Sequence, residues 1–84
     1  MAKHDRTLKA LYVTPIRLNI AWGDLLGLLG HLGAAVSPGG GSMYTIRLNG
    51  LTIVLHAPHP GREIPAAMVR RVRQFLDDAG VEHP

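Results

Sequence analysis

Cysteine is absent from this chain of 84 residues, which excludes disulfides and thiolate chemistry. Aromatic side chains are scarce, with one Trp, two Tyr and one Phe, too few for a platform on which successive bases stack. No apolar run approaches the roughly 18 residues of a membrane span, and no charged-then-apolar signal segment opens the chain. The expectation is a soluble, cytoplasmic protein with no membrane partner. Acidic residues are outnumbered, six Asp and Glu against nine Lys and Arg, for a formal net charge of +3. That balance leans towards an anionic partner, RNA or an acidic protein. The length allows one small domain over 1–84, with 1–7 and 81–84 expected to fray. Such a domain buries only about 60–65% of its unfolded surface, so its large apolar residues are mostly committed to the core.

What is present is organised around Ser37 to Pro60. A glycine-rich loop, Gly39-Gly40-Gly41-Ser42, leads into two alternating runs joined by Asn49-Gly50. Both turn residues tolerate the positive φ of a type I′ turn, so the segment reads as a β-hairpin. Alternation puts Tyr44, Ile46 and Leu48 on one face and Met43, Thr45 and Arg47 on the other; Ile53 and Leu55 alternate with Thr52, Val54 and His56. The hairpin exits through His56-Ala57-Pro58-His59-Pro60.

Three helical segments flank it. Asp5 to Val13 has rough helical spacing and is closed by Pro15; Ile16 to Ala21 is expected to be extended or irregular. Trp22 to Leu32 carries a wide leucine stripe, with Asp24, Gly27 and His31 on the narrower face. Gly27 and Gly30 weaken this helix but permit close approach of another element, and Gly33 suits its C-terminal stop. After a polar turn, Gly61-Arg62-Glu63, Ile64-Pro65 opens a last helix that Gly80 ends. The order is helix, helix, hairpin (a short third strand being left open), helix. That is an α+β two-layer sandwich.

Each candidate site has a plainer alternative. Consecutive amides of the glycine-rich loop can cradle a phosphate, but the loop lacks the P-loop pattern and also suits a simple hairpin approach. His56 and His59 can take or give a proton in phosphodiester cleavage; otherwise one ends a strand and the other sits in a loop. They could also bind a metal, yet Glu63 is the one weak third ligand, so no metal site is expected. Arg70, Arg71 and Arg73 make a basic patch able to hold phosphates, or a solvated face with an Arg73–Asp77 pair. His4, His31 and His83 are expected to play no part.

In order and spacing, these pieces resemble the HicA family of toxin–antitoxin proteins, from about Leu8 to Val81. Trp22-Gly23-Asp24-Leu25-Leu26 with Leu32-Gly33-Ala34 is similar to the family's first core helix and its glycine exit. Gly41-Ser42 is similar to the pair before its first strand, and Asn49-Gly50 to its hairpin turn. His56-Ala57-Pro58-His59-Pro60 resembles the H-x-P-H-P run of one branch, and Glu63 to Val81 the final helix. The resemblance implies a double-stranded-RNA-binding-domain-like fold: an antiparallel three-stranded sheet on two main helices, here with a short N-terminal helix. It implies an endoribonuclease that cleaves mRNA without a metal or small-molecule cofactor, neutralised by a HicB-type antitoxin. In the best-known members a catalytic histidine follows the Gly-Ser pair; here Met43 stands there, and a thioether moves no proton at neutral pH. Three readings follow. His56 or His59 has taken over the acid–base role; or the chain is an inactive relative that binds RNA or protein; or Met43 is an engineered exchange. The first assigns catalysis to His59 and His56, and RNA binding to Gly41, Ser42, Arg47, Arg62 and Arg70.

Overall fold

The computed structural model describes residues 3–17, 19–59 and 62–83. The expectations placed on Leu18, Pro60 and Gly61, and on the outermost residues of both tails, lie outside that set. In chain order the elements are α1 (Lys3–Leu11), α2 (Trp22–His31), β1 (Ala35–Pro38), β2 (Met43–Leu48), β3 (Leu51–His56) and α3 (Ala66–Asp78). The strands form one antiparallel sheet in the order β1-β2-β3. This is the expected α+β arrangement, with a three-stranded sheet, two main helices and a short N-terminal helix.

The hairpin follows the alternation of its sequence. Asn49 (φ 51°) and Gly50 (φ 82°) both occupy the left-handed region a two-residue turn demands. The register pairs Ile46 with Ile53 and Tyr44 with Leu55. Ile46, Leu48 and Leu55 are buried. They join Leu25, Leu28 and Leu29 of α2 and the Val69–Val72–Leu76 stripe of α3 in one core. Residues of the other sheet face, among them Met43, Arg47, Thr52 and His56, are exposed. Both main helices therefore cover a single face.

The third strand is β1, whose short Ala-Val-Ser-Pro sequence has little strand character of its own. It exists because the glycine-rich loop folds back: the Gly39 amide donates to the Met43 carbonyl at 2.8 Å. Val36 then lies opposite Ile46 and Pro38 opposite Tyr44. A proline at the end of an edge strand removes no interior ladder bond.

Helix boundaries shift by a turn or less. Pro65 is the N-cap of α3, with extended backbone (φ −74°, ψ 161°), and the helix starts at Ala66. Ile64 stays extended because its amide donates to the Ile20 carbonyl at 2.8 Å. Ala21 and Glu63 form an isolated antiparallel bridge beside it. Ile20 and Ala21 thus strap the entry of α2 to the entry of α3.

The narrow face of α2 is not open to solvent along its length; α1 lies on it. Lys3 pairs with Asp24 at 3.0 Å, and His4 stacks on His31 with ring centroids 4.7 Å apart. A β-carbon on Gly27 would meet the His4 ring at 3.1 Å, so the small residue there admits the neighbouring helix. Gly30 has no such neighbour within 4 Å. At its other end this N-terminal unit is held by Tyr12, whose hydroxyl donates to Asp77 Oδ1 at 2.8 Å and approaches the Arg73 carbonyl at 3.2 Å. His83 stacks on the Tyr12 ring at 3.5 Å. Both tails expected to fray make specific contacts among their described residues, because rings and an ion pair anchor them to α2 and α3.

Candidate functional site

The ladder brings two of the singled-out positions face to face. Met43 opens β2 and His56 ends β3, and the two are direct cross-strand partners. Both lie on the helix-free face, where directly opposed side chains have β-carbons about 4.5–5.5 Å apart. Met43 is 42% exposed, a large hydrophobic side chain left in solvent. His56 is exposed as well. The loop before Met43 closes onto the same end of the sheet: Gly41 has φ 65°, and the Ser42 carbonyl accepts from the Ala57 amide at 2.7 Å. The Gly39 and Met43 amides are used within this turn. The amides of Gly40, Gly41 and Ser42 have no partner among the described residues.

His59 lines a neighbouring cleft, off the sheet face. The cleft, of about 260 Å³, is lined by Trp22, Gly23, Pro58, His59, Arg62 and Glu63. The Arg62 amide donates to the His59 carbonyl at 3.0 Å, and both residues line this cleft. The opposite wall is the first turn of α2, whose N-cap, Ala21, supplies no side-chain cap. The free amides and dipole of a helix N-terminus add positive potential there. Trp22 meets the Tyr44 ring edge-on at 5.3 Å, and Tyr44 follows Met43 in β2. The cleft and the Met43–His56 end of the sheet are therefore neighbours, joined through Tyr44 and Trp22.

The other assigned residues separate. Gly41 and Ser42 belong to this end of the sheet. Arg47 shares the helix-free face but pairs with Thr52 near the turn, about 13 Å along the strand from Met43 at 3.3 Å per residue. Arg70 is on the exposed side of α3. The basic patch expected on α3 is divided: Arg71 donates to the Val54 carbonyl at 3.1 Å, alongside the edge of β3, and the Arg73 guanidinium lies 5.5 Å from the Tyr12 ring centre. Asp77, the expected partner of Arg73, instead accepts from Tyr12 and sits 3.5 Å from His83.

Sequence reasoning used Trp22 and Gly23 only as the start of a helix, and the cleft they line with His59 and Arg62 went unseen. The Ala21–Glu63 bridge that brings these segments together spans 42 positions in the numbering, and neither segment has a strand-like pattern. Among the described residues no group of three or more His, Asp or Glu is placed to hold a metal ion. No helix among them is long and apolar enough to cross a membrane.

A sheet with two helices on one face, a Gly-Ser loop and a histidine-bearing exit at one end make a small α+β domain. The family model for the HicA toxin of bacterial toxin–antitoxin systems matches residues 22–81, well over half the chain, and the chain belongs to this family. It is therefore a toxin of the toxin–antitoxin class, whose members work against an antitoxin partner. No curated protein and no solved structure matches the chain.

Proposed function

We propose that this toxin is a cytoplasmic endoribonuclease that cleaves mRNA without a metal and is neutralised by a HicB-type antitoxin. The observation supporting the assignment is the pairing of His56 with Met43. By the family resemblance the catalytic histidine follows the Gly-Ser pair, where Met43 now stands. An imidazole directly across the ladder is well situated to serve the same phosphodiester.

RNA provides its own nucleophile, the 2′-hydroxyl. A base removes the 2′-OH proton as that oxygen attacks the adjacent phosphorus. The bond from phosphorus to the 5′ oxygen breaks, an acid returns a proton to that oxygen, and a 2′,3′-cyclic phosphate remains. Two imidazoles of opposite protonation state suffice for both transfers. His56 and His59 are three residues apart, so their backbones are separated by at most about 11 Å. Arg62 beside His59 neutralises the phosphate, as Gly41 and Ser42 do through their amides on the other side. Arg47 and Arg70 extend phosphate contacts away from the reacting bond.

Cleavage of a labelled single-stranded RNA in EDTA tests this. The parent chain is expected to cleave, and the His56→Ala/His59→Ala variant to lose about 10²–10⁴ in rate. Cleavage unchanged in that variant removes both histidines from the mechanism. The exposed thioether of Met43 favours a second reading, a catalytically inactive HicA-like module that binds RNA or protein. That reading expects RNA binding without turnover by the parent.

A further inference from the structure

The first 21 residues lie outside the region matched by the family model, yet the described residues among them build a surface of their own. A groove runs between α1 and the irregular segment that follows it. One part, of about 310 Å³, is lined by Lys3, Arg6, Arg17, Asn19 and Asp24 among others. A second part, of about 230 Å³, shares Arg6 and Arg17 and adds Lys9. The walls hold four of the chain's nine Lys and Arg side chains and one of its six carboxylates. That carboxylate, Asp24, is paired with Lys3. Arg6, Lys9 and Arg17 are exposed and have no ion pair or hydrogen bond among the described residues. Asp5, the one acid of α1, is exposed and lines neither part.

We infer that this groove is a second RNA-binding surface, gripping the phosphodiester backbone of the strand that the proposed ribonuclease site acts on. The inference rests on that functional reading. Three unpaired cations along one trough make a positive potential complementary to a polyanion. Lys3 to Lys9 spans about 9 Å of helix, room for two or three phosphates of a stacked strand at about 3.4 Å each. The two arginines offer planar forks suited to phosphate oxygens. Apart from the phosphates there is little to read: no aromatic side chain lines the groove, so contact is with backbone and independent of sequence. The groove also leads to the proposed site. Asp24 lines it, while Trp22 and Gly23 of the same α2 turn line the His59 cleft. A strand leaving the groove across that turn arrives beside His59 and Arg62.

Anisotropy of a fluorescent 2′-O-methyl RNA, which cannot be cleaved, measures binding by the full chain over a range of salt. The comparison variant is Arg6→Gln/Lys9→Gln/Arg17→Gln, which keeps good helix formers at exposed positions; its unfolding temperature is recorded alongside. At 0.1 M salt the affinity is expected to fall on the order of tenfold, and the slope of log K against log salt to shrink by about 2. An Arg6→Lys/Arg17→Lys variant, keeping the charges, is expected to keep the slope. If the parent binds and the glutamine variant binds equally with the same slope, the groove is not an RNA surface and the functional reading stands. If the parent binds no RNA, both fail. If polyglutamate binding is lost in the glutamine variant while RNA binding is retained, an acidic protein segment is the occupant and the inference is overturned.

Discussion

The two ends of the β2–β3 hairpin share the same strands and differ in what they do with their polar groups. At the turn end, every special feature is used by the fold. Asn49 and Gly50 adopt the positive φ of the turn, and the Asn49 side chain donates to the Ala79 carbonyl at 2.7 Å, satisfying a carbonyl at the C-terminus of α3. Leu48 beside the turn is buried. At the open end, Met43 and His56 face solvent across the ladder, and three consecutive loop amides have no partner among the described residues. Exposed amides without a protein partner at a sheet end are open to a ligand. The polar groups of the turn end serve the fold, and those of the open end are left to candidate chemistry, while the apolar core runs under both.

Substitutions can break this comparison, and the core supplies the largest effect. Leu55→Ala, at a residue 0% exposed between sheet and helices, is expected to cost about 2–5 kcal/mol in chemical denaturation. Activity per folded molecule should be unaffected, because the residue faces away from His56. At the turn, Asn49→Ala removes the bond to Ala79 and places a β-branch-free but non-glycine residue at positive φ. A loss of about 1–3 kcal/mol is expected, again with RNA binding by the folded fraction unchanged. A change in RNA affinity there would mean that the turn end is part of the site.

Smaller effects sharpen the picture at the N-terminal unit. Tyr12→Phe is expected to cost about 1 kcal/mol by removing the hydroxyl contacts to Asp77 and Arg73. Burial first, then the hydrogen bond to Asp77, hold this phenol well above the ordinary tyrosine value. The folded state therefore prefers the neutral form. The contribution is fully present below about pH 10 and declines as pH rises beyond it, since the unfolded chain ionises first. Urea midpoints across that range should fall more steeply for the parent than for Tyr12→Phe. The smallest stability change belongs to the open end itself: Met43→His at an exposed strand position is expected to shift stability by no more than about 0.5 kcal/mol.

The legibility of the sequence follows the same division. The hairpin was readable because Asn49-Gly50 and the alternation of Tyr44, Ile46 and Leu48 are local signals. The leucine stripe of α2 and the apolar stripe of α3 were readable for the same reason. The third strand was left open by the local pattern and came only with the family resemblance, since Ala35–Pro38 becomes a strand only by pairing with β2. The close approach of another element at Gly27 was readable from the small residue, but that α1 is this element, resting on Asp24 and His31 as well, was not, because no periodicity marks the partner of a polar stripe. At the site, His56 and His59 could be picked out by residue type, but their division between sheet face and cleft depends on the Ala21–Glu63 bridge and the strand register. That the arginines of α3 reach different neighbours was not legible, because it is a matter of side-chain direction. The groove cations, spread over Lys3 to Arg17, formed no motif.

The most direct measurement compares RNA cleavage by the parent with that by His56→Ala, together with the unfolding temperature of each. The open-end account expects cleavage to fall by at least about 10² while the unfolding temperature stays the same. Cleavage by His56→Ala at the parent's rate would contradict it.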